Sequence, residues 1–290
     1  MKQVLASIIS NTEFMPGVKL MWIEAPDIAV LVQPGQFTTV CCEGLMLRRP
    51  FSVHQADSSR IALLFKIVGR GTNWLAQRQR GDKVDILGPL GNGFSAEPEA
   101  RNLLLVAGGI GIAPLVFLAQ RGAAQHSVTL IYGASVASKL YPPSSSQAEG
   151  SNLLSLPDSV RFIPVTEDGS IGKKGLATDV LPDFLDWADQ VYACGPIDMY
   201  KTMSGLICYS EGLAEVLSKA KGQRPNNLSQ DKVREESKLK RCQVSLEVRM
   251  GCGIGACYGC TVNTRKGLKK VCHDGPVFEL DDILWEEVRI

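Results

Sequence analysis

The sequence predicts a mixed β and α/β chain in three parts: an N-terminal antiparallel β-barrel, a doubly wound parallel sheet, and a small C-terminal module rich in cysteine. Residues 1–98 hold short β-rich runs separated by turn residues. Residues 99–247 hold apolar runs that alternate with helical stretches, and residues 248–290 hold closely spaced cysteines. We take these three ranges as the predicted domains.

Composition excludes several classes of function. The chain has 290 residues, 45% of them hydrophobic and 21% charged, with a net charge of +1. This balance predicts neither nucleic-acid binding nor attraction to a membrane surface. Nine cysteines, without a secretory leader at the N-terminus, are typical of a reducing compartment, so we expect a cytoplasmic protein. Residues 102–120 are uncharged and nearly long enough to span a membrane, but their glycines and Pro114 favour a strand, a turn and a helix.

The barrel region contains two motifs that suit a flavin nucleotide. Arg49-Pro50-Phe51-Ser52 offers a guanidinium for a pyrophosphate, an aromatic face and a hydroxyl. Gly69-Arg70-Gly71-Thr72 precedes a helical stretch at Asn73–Arg80, and backbone N–H groups at a helix start suit phosphate. Each motif also has a plain interpretation as surface charge, core or turn. The candidate residues are Arg49, Pro50, Phe51, Ser52, Phe65, Lys66, Ile67, Gly71 and Thr72.

The middle region predicts a nucleotide-binding sheet. Leu103–Ala107 is a continuous apolar run, as in a strand buried on both faces, and it leads into a glycine turn and the apolar helix Leu115–Ala124, with Pro114 at its first position. Further strands are predicted at Val128–Tyr132, Val160–Val165 and Gln190–Ala193. The candidate dinucleotide residues are Gly108, Gly109, Gly111, Pro114, Gly195 and Pro196.

Two observations bear on how a dinucleotide would be used. Cys194, at the end of its strand, is either an ordinary core cysteine or a group beside a nicotinamide, and we take it as the candidate catalytic residue. No acidic residue follows the second strand, where Ser135 and Lys139 stand instead, and no arginine pair is present for a 2′-phosphate. The absence of such an arginine pair favours NAD over NADP as the cofactor.

The C-terminal module carries the most specific motif. Cys252, Cys257 and Cys260 have the C-x4-C-x2-C spacing of plant-type [2Fe–2S] clusters, and Cys272 supplies a fourth thiolate. Glycines at 251, 253, 255 and 259 permit the backbone conformations of a wrapped loop. A tetrahedral zinc site is the main alternative, although zinc ligands usually come from two short knuckles. Disulfides do not fit the expected compartment, and we place His273 near the site or on the surface.

Two stretches flank this module. Residues 219–241 hold eight Lys/Arg and three Asp/Glu, which we interpret as a solvated linker or insertion. Cys242–Glu247 reads as one last strand of the sheet before the cysteine loop.

The order of these motifs resembles the ferredoxin reductase family of flavoproteins, and within it the electron-transfer subunits of class B dihydroorotate dehydrogenases. The resemblance lapses at about 203–240, where this chain is longer than expected. It rests on Arg49–Ser52, Gly88–Phe94, Gly108–Pro114, Val165–Ser170, Cys194–Pro196 and Cys242–Phe278.

The resemblance implies FAD in the barrel, NAD on the sheet and a [2Fe–2S] cluster in the tail. It also implies an FMN-containing partner subunit that oxidises dihydroorotate, in an assembly with two of each chain that serves pyrimidine biosynthesis. Electrons would pass from FMN through the cluster and FAD to NAD+. One alternative is a related NAD(P)H-linked reductase subunit that serves ferredoxin, sulfide or a hydrogenase. Another is a zinc-bearing binding module without redox activity.

Overall fold

The computed structural model describes residues 1–141, 156–207 and 240–288. The first part of the chain closes into a six-stranded antiparallel barrel. The strand order is β1-β2-β5-β4-β3-β6. Buried and more accessible residues alternate along β6, as expected when one face of a strand lines a core. The predicted barrel is therefore confirmed. Its strands are β1 (Lys2–Met15), β2 (Val18–Glu24), β3 (Phe37–Val40), β4 (Arg49–Ala56), β5 (Arg60–Lys66) and β6 (Lys83–Leu90).

Two short helices accompany the barrel, α1 (Pro26–Ala29) and α2 (Arg70–Ala76). The sequence placed the second helix at Asn73–Arg80, a few residues too late. The Thr72 hydroxyl accepts hydrogen bonds from the backbone N–H groups of Val68, at 2.9 Å, and Gly69, at 3.0 Å. This bonding satisfies donors at the helix start and lets the helix begin at Arg70.

A seven-stranded sheet forms the second part, in the order β10-β9-β8-β7-β11-β12-β15. All neighbouring pairs are parallel except β12 with β15. The chain runs outward from β7 through β8 and β9, then returns to the other side of β7, so the strand order reverses between β7 and β11. The strands are β7 (Asn102–Gly108), β8 (Ser127–Ala134), β9 (Arg161–Thr166), β10 (Lys173–Lys174), β11 (Gln190–Cys194) and β12 (Arg241–Ser245), with β15 (Val277–Glu279) at the edge.

Among the described residues of this part, the helices are α3 (Ile112–Gly122), α4 (Ala177–Val180), α5 (Pro182–Leu185) and α6 (197–207). The doubly wound sheet is thus confirmed, and the uncharged run 102–120 is a strand, a turn and a helix. The predicted position of Pro114 was wrong by two residues, because α3 already begins at Ile112. Proline remains acceptable there since the first four N–H groups of a helix have no intrahelical partner.

The C-terminal segment returns to the sheet. After the hairpin of β13 (Thr261–Thr264) and β14 (Gly267–Lys270) and the short helix α7 (Val271–Asp274), strand β15 pairs antiparallel with β12. The sequence predicted β12 but not β15. The predicted domain bounds remain predictions, and the basic stretch 219–241 lies outside the described residues except for its last two positions.

Candidate functional site

A cleft of about 660 Å³ opens at the carboxyl ends of β7 and β11, where the strand order reverses. We call it the sheet cleft. Ligands of open α/β sheets bind at this position. Five of the predicted dinucleotide residues line it: Gly108, Gly109, Gly111, Gly195 and Pro196.

The glycines bring two loops into contact below the sheet cleft. A Cβ atom on Gly111 would lie 2.1 Å from the carbonyl oxygen of Cys194, and one on Gly108 would lie 2.8 Å from Cδ of Pro196. Gly109 has a φ of +54°, a conformation that favours glycine. The close approach of the two loops therefore depends on the absence of side chains.

Two predicted residues of this region do not line the sheet cleft. Pro114 is buried within α3, and Cys194 is only 1% exposed. Burial raises the pKa of the Cys194 thiol, which lies beside the Tyr200 hydroxyl and near Glu247. Tyr200 itself accepts a hydrogen bond from the Gly195 N–H, at 2.9 Å, and donates one to the Ser245 carbonyl, at 2.7 Å. The structure thus places the Cys194 side chain in the core, and its catalytic role remains a prediction.

The far wall of the sheet cleft holds the residues that the sequence offered in place of a ribose-binding acid. Ser135 and Lys139 line it, and the Lys139 ammonium donates a hydrogen bond to the Ser135 hydroxyl, at 3.1 Å. An acidic residue does lie here, but on the next strand over: Glu167 follows β9 and lines the same wall. The sequence did not indicate Glu167, because an acidic residue that binds the ribose was expected only after β8.

A second cleft, of about 320 Å³, lies between the barrel and the sheet, and we call it the barrel cleft. Strands β4 and β5 pair antiparallel and bring the two predicted barrel segments side by side. The rings of Phe51 and Phe65 lie 5.5 Å apart between their centroids. Six predicted residues line this cleft: Pro50, Phe51, Ser52, Phe65, Lys66 and Thr72.

The other three barrel candidates, Arg49, Ile67 and Gly71, lie beside this cleft rather than on its wall. Arg49 donates a hydrogen bond from Nη1 to the Leu47 carbonyl, at 2.6 Å. Its Nε atom lies 2.7 Å from where a Cβ atom of Gly71 would be, so the guanidinium crosses the start of α2. Ile67 only donates its backbone N–H to the Gly17 carbonyl, at 2.9 Å.

The two clefts meet. Lys66, Ile110 and Glu247 line both of them. Sequence reasoning singled out Lys66 but missed the other two. Ile110 lies inside the glycine turn, and Glu247 follows β12, five positions before Cys252. Glu247 is open to solvent through the clefts, yet the surrounding protein desolvates its carboxyl group and raises its pKa.

The four predicted cluster cysteines lie together in two pairs. The backbone N–H of Cys257 donates to the Cys252 sulfur, at 3.4 Å, and the sulfurs of Cys260 and Cys272 lie 3.3 Å apart. The N–H of Gly255 donates to the Cys272 sulfur, at 3.1 Å, which links the two pairs through the loop backbone. In the described part of the chain, no three His, Cys, Asp or Glu side chains converge on a single-ion site.

The loop backbone distinguishes these thiols electrostatically. Burial acts to raise the pKa of Cys252, but hydrogen bonds from the N–H groups of Ile254, Cys257 and Ala256 outweigh it and lower the pKa to about 6. Burial and the neighbouring Cys260 raise the pKa of Cys272 to about 12. N–H groups directed at sulfur stabilise the thiolate form, which is the form that ligates metal.

The conformation of the loop requires glycine at two of the four predicted positions. Gly253 and Gly255 have φ values of +72° and +81°. A Cβ atom on Gly253 would lie 2.9 Å from Cγ2 of Thr39, so the loop packs closely against barrel strand β3. Tyr258 also adopts a positive φ, of 57°, which the sequence did not indicate.

The fold places the chain in a recognisable class. The NADH-dependent reduced ferredoxin-NADP oxidoreductase has a solved structure that matches with a TM-score of 0.75 and 25% identity, over 98% of this chain and 91% of that one. A ferredoxin NADP+ reductase from Neisseria gonorrhoeae, solved with bound FAD and NADP, matches with a TM-score of 0.55 and 20% identity, over 70% of this chain and 89% of that one. The predicted ferredoxin reductase fold is thus confirmed.

Sequence relatives narrow the class to one family. Residues 247–284 match the iron-sulfur cluster binding domain of dihydroorotate dehydrogenase B. The electron transfer subunit of dihydroorotate dehydrogenase B (NAD(+)) from Caldanaerobacter subterraneus subsp. tengcongensis is 37% identical, over 87% of each chain. The corresponding subunit from Desulforamulus reducens is 34% identical, over 97% of this chain and 98% of the relative. The chain belongs to this family of electron transfer subunits.

Among the described residues, no helix combines the length and the apolar character needed to cross a membrane.

Proposed function

We propose that this chain passes electrons to NAD+ in pyrimidine biosynthesis. The electrons leave a [2Fe–2S] cluster one at a time and reach NAD+ through FAD. A partner subunit that carries FMN and oxidises dihydroorotate supplies them. The observation that carries the proposal is the continuity of the three sites. The barrel cleft opens into the sheet cleft at Lys66, Ile110 and Glu247, and the chain runs directly from Glu247 into the cysteine loop. When bound, the cluster exchanges single electrons, the nicotinamide exchanges a hydride, and the flavin does both.

Residues in and beside the barrel cleft offer the groups that would bind FAD. Phe51 and Ser52 both line it, and they offer an aromatic face and a hydroxyl. Arg49 and the start of α2 are held next to one another by the close approach of Arg49 to Gly71. A guanidinium beside backbone N–H groups suits a pyrophosphate. The proposed FAD residues are Arg49, Pro50, Phe51, Ser52, Phe65, Lys66, Ile67, Gly71 and Thr72.

The sheet cleft fits a nicotinamide dinucleotide. Its floor is formed by the two glycine-containing loops, whose lack of side chains leaves room for a pyrophosphate against the backbone. The volume of about 660 Å³ lies within the range of cofactor sites. Glu167 on the far wall favours a free ribose diol over a 2′-phosphate by its negative charge, which supports NAD. The proposed residues are Gly108, Gly109, Gly111, Pro114, Gly195 and Pro196, with Cys194 beneath them.

The cysteine loop favours a two-iron cluster over zinc. A single zinc ion needs four ligands on one tetrahedron at about 2.3 Å from the metal. Here the cysteines form two pairs: Cys252 and Cys257 each donate a backbone N–H to the other's sulfur, and the sulfurs of Cys260 and Cys272 lie 3.3 Å apart. Two pairs match a cluster in which each iron takes two thiolates. Backbone N–H groups that already point at sulfur would tune such a cluster.

The partner is the FMN-containing catalytic subunit of the same dehydrogenase, with two copies of each chain, in the cytoplasm. The relatives are electron transfer subunits, and such a subunit requires a second one to deliver electrons. The cysteine loop offers a solvent-facing surface for such delivery, since Ile254 is 45% exposed and Tyr258 is 67% exposed. Exposed apolar residues grouped at one loop are typical of an interaction site.

The visible spectrum of the purified chain, recorded without oxygen before and after NADH, tests the proposal. We expect flavin bands and red-brown cluster absorbance, both bleached by NADH. Adding the FMN subunit and dihydroorotate to the oxidised chain with NAD+ should then produce NADH. Flavin without cluster absorbance, together with zinc on metal analysis, would contradict the electron route. Reduction by ferredoxin or sulfide but not by the dihydroorotate system would favour the related reductase instead.

A further inference from the structure

The hydroxyl group of Tyr200, in α6, bridges two strands of the sheet at the point where their pairing ends. The ladder between β11 and β12 ends at the pair Ala193 and Val244. Just beyond it, the hydroxyl accepts from the Gly195 N–H, at 2.9 Å, and donates to the Ser245 carbonyl, at 2.7 Å. Both directions are fixed, because an N–H can only donate and a carbonyl oxygen can only accept. One side chain from a helix thus replaces the next bond of the ladder.

The two strand ends that this hydroxyl joins lead to different clefts. After β11 the chain continues into Gly195 and Pro196, which line the sheet cleft. After β12 it continues through Leu246 and Glu247, which line the barrel cleft, toward the cysteine loop. The distance between the two strand ends therefore sets how the floor of the sheet cleft faces the wall of the barrel cleft.

The ring of Tyr200 is itself held in place. Tyr200 is 1% exposed, and its ring lies 5.1 Å from the ring of Trp285 between their centroids. The Trp285 indole N–H donates to the Leu280 carbonyl, at 3.0 Å, within the segment that follows Cys272. A ring packed between α6 and this segment has little room to move, so its hydroxyl is a fixed spacer.

Tyr200 lines neither cleft, so it acts on a bound group only through the backbone that it holds. Without the hydroxyl, the buried N–H of Gly195 and the carbonyl of Ser245 would both lose a partner, and the two strand ends would shift to find others. Hydride transfer requires the reacting atoms to lie about 3–3.5 Å apart, and a misplacement of about 1 Å can slow a reaction about a hundredfold.

We propose that Tyr200 is a positioning residue for hydride transfer, because its hydroxyl fixes the spacing between the sheet-cleft loop at Gly195 and the strand end at Ser245. That spacing sets the placement of the nicotinamide against the flavin. The inference rests on the proposed function. The hydride passes between the two rings with its two electrons, and Tyr200 neither gives nor takes a proton.

The first test is Tyr200→Phe, which keeps the ring and removes the hydroxyl. NADH is mixed rapidly with the oxidised chain without oxygen, and flavin absorbance gives the rate at saturation and the NADH concentration at half the maximal rate. We expect the rate at saturation to fall about tenfold or more, because the rings are misplaced. The half-maximal concentration should change less than about threefold, because the groups that line the sheet cleft remain.

The matched control is Tyr192→Phe. Tyr192, on β11, is also fully buried, and its hydroxyl donates to the Ser95 carbonyl, at 3.1 Å. Its loss also removes a hydrogen bond from a buried tyrosine to a backbone carbonyl, but neither Tyr192 nor Ser95 lines the sheet cleft or the barrel cleft. We expect this variant to reduce its flavin within about twofold of the wild-type rate, since only stability is affected.

Amide hydrogen exchange gives a readout that needs no NADH. In the wild type, the Gly195 N–H should exchange at least about a hundredfold more slowly than an unprotected amide, although it lies past the end of the ladder. In Tyr200→Phe this protection should be lost, while the amides within β11 keep theirs. Tyr192→Phe should keep the protection of Gly195.

Four outcomes would overturn the inference. They are equal slowing in both variants, a Tyr200→Phe rate within twofold of the wild type, a change confined to the half-maximal NADH concentration, and a wild-type Gly195 N–H that exchanges like an unprotected amide. The last of these needs no variant, so it decides the matter even if Tyr200→Phe fails to fold. A wild-type chain whose flavin NADH does not reduce would contradict the proposed function, and the inference with it.

Discussion

The Nδ1 atom of His54, on barrel strand β4, lies 2.8 Å from the carbonyl oxygen of Ala113, in the first turn of α3. Because a carbonyl oxygen can only accept, Nδ1 carries the hydrogen and Nε2 is left to accept from the Tyr141 hydroxyl, at 3.3 Å. His54 is fully buried, and desolvation lowers its pKa from 6.5 to about 4. This imidazole thus ties the barrel to the helix that begins beside the sheet cleft, and it does so in its neutral form.

Acidification should therefore destabilise the protein through His54. The unfolded state takes up a proton near the ordinary pKa, whereas the folded state resists it until about pH 4. The stability that depends on neutral His54 is complete above the unfolded pKa and is lost as the pH falls toward 4. We expect the free energy of unfolding to fall by about 2 kcal/mol from this group between about pH 7.5 and about pH 5.

Urea unfolding at the two pH values measures this effect. His54→Asn can still donate to the Ala113 carbonyl, and it should flatten the pH dependence while lowering stability at both pH values because it leaves a cavity. His126 also contacts a backbone carbonyl, that of Ala100 at 2.7 Å, but is only partly buried, so His126→Gln serves as the control and should keep the full fall. An unchanged slope in His54→Asn would contradict the assignment.

Gly111 should not tolerate a side chain. A Cβ atom there would lie 2.1 Å from the Cys194 carbonyl oxygen and 2.4 Å from its carbon, both backbone atoms that cannot rotate away. We expect Gly111→Ala to lower the free energy of unfolding by about 1–3 kcal/mol and to weaken NAD binding, because the two loops must separate. Thermal unfolding and NADH titration measure the two effects.

The matched control is Gly205→Ala, which lies in α6 with no atom within 4 Å of the new Cβ. Alanine should be neutral or should stabilise that helix by about 0.5–1 kcal/mol. If both variants unfold at the wild-type temperature, the contact between the two loops is looser than the structure has it.

The parts of the fold that the sequence predicts are those that local pattern determines. A continuous apolar run, a glycine turn and a second apolar run define β7 and α3 within one stretch of chain. The cysteine spacing is also local, since Cys252, Cys257 and Cys260 belong to one loop. The position of the sheet cleft follows from the first of these patterns, because ligands bind at the carboxyl ends of the strands in such sheets.

The parts that the sequence does not predict depend on contacts between distant segments. Glu247 has no motif around it until the end of β12 meets the end of β5 at the junction of the clefts. Strand β15 has only three residues, too few for a periodic signal, and forms because β12 offers it a free edge. Glu167 follows the third strand of the sheet, and nothing in its own segment indicates that it faces the same cleft as Ser135.

Arg49 should control FAD affinity through its planar guanidinium. Lysine at this position keeps the charge but loses the paired donors that suit a pyrophosphate. We expect Arg49→Lys to weaken FAD binding about tenfold or more, since a charge-assisted hydrogen bond contributes about 1.5–3 kcal/mol. Gly71→Ala should also weaken FAD binding. The new Cβ atom would lie 2.7 Å from the Arg49 Nε atom and would displace the guanidinium. Quenching of FAD fluorescence on binding gives both affinities, and Arg101→Lys, at an exposed site, is the control. Equal affinities would contradict the role of Arg49.

A substitution in the cysteine loop should remove the cluster and leave the flavin in place. Cys260 is buried, and its sulfur lies 3.3 Å from that of Cys272, so removing it breaks one of the two thiolate pairs. Alanine cannot ligate metal, and we expect Cys260→Ala to lose at least about nine-tenths of its iron. Flavin should remain, because no cysteine lines the barrel cleft among the described residues.

Iron analysis and the visible spectrum test this prediction together. Cys41→Ala, on a barrel cysteine outside the loop, is the matched control and should keep both cofactors. In Cys260→Ala, NADH should still bleach the flavin bands while no cluster absorbance remains to respond. A variant that keeps its iron and its red-brown colour would show that Cys260 is not a ligand. Loss of flavin together with iron would mean that the loop also supports the barrel cleft, through its contact between Gly253 and Thr39.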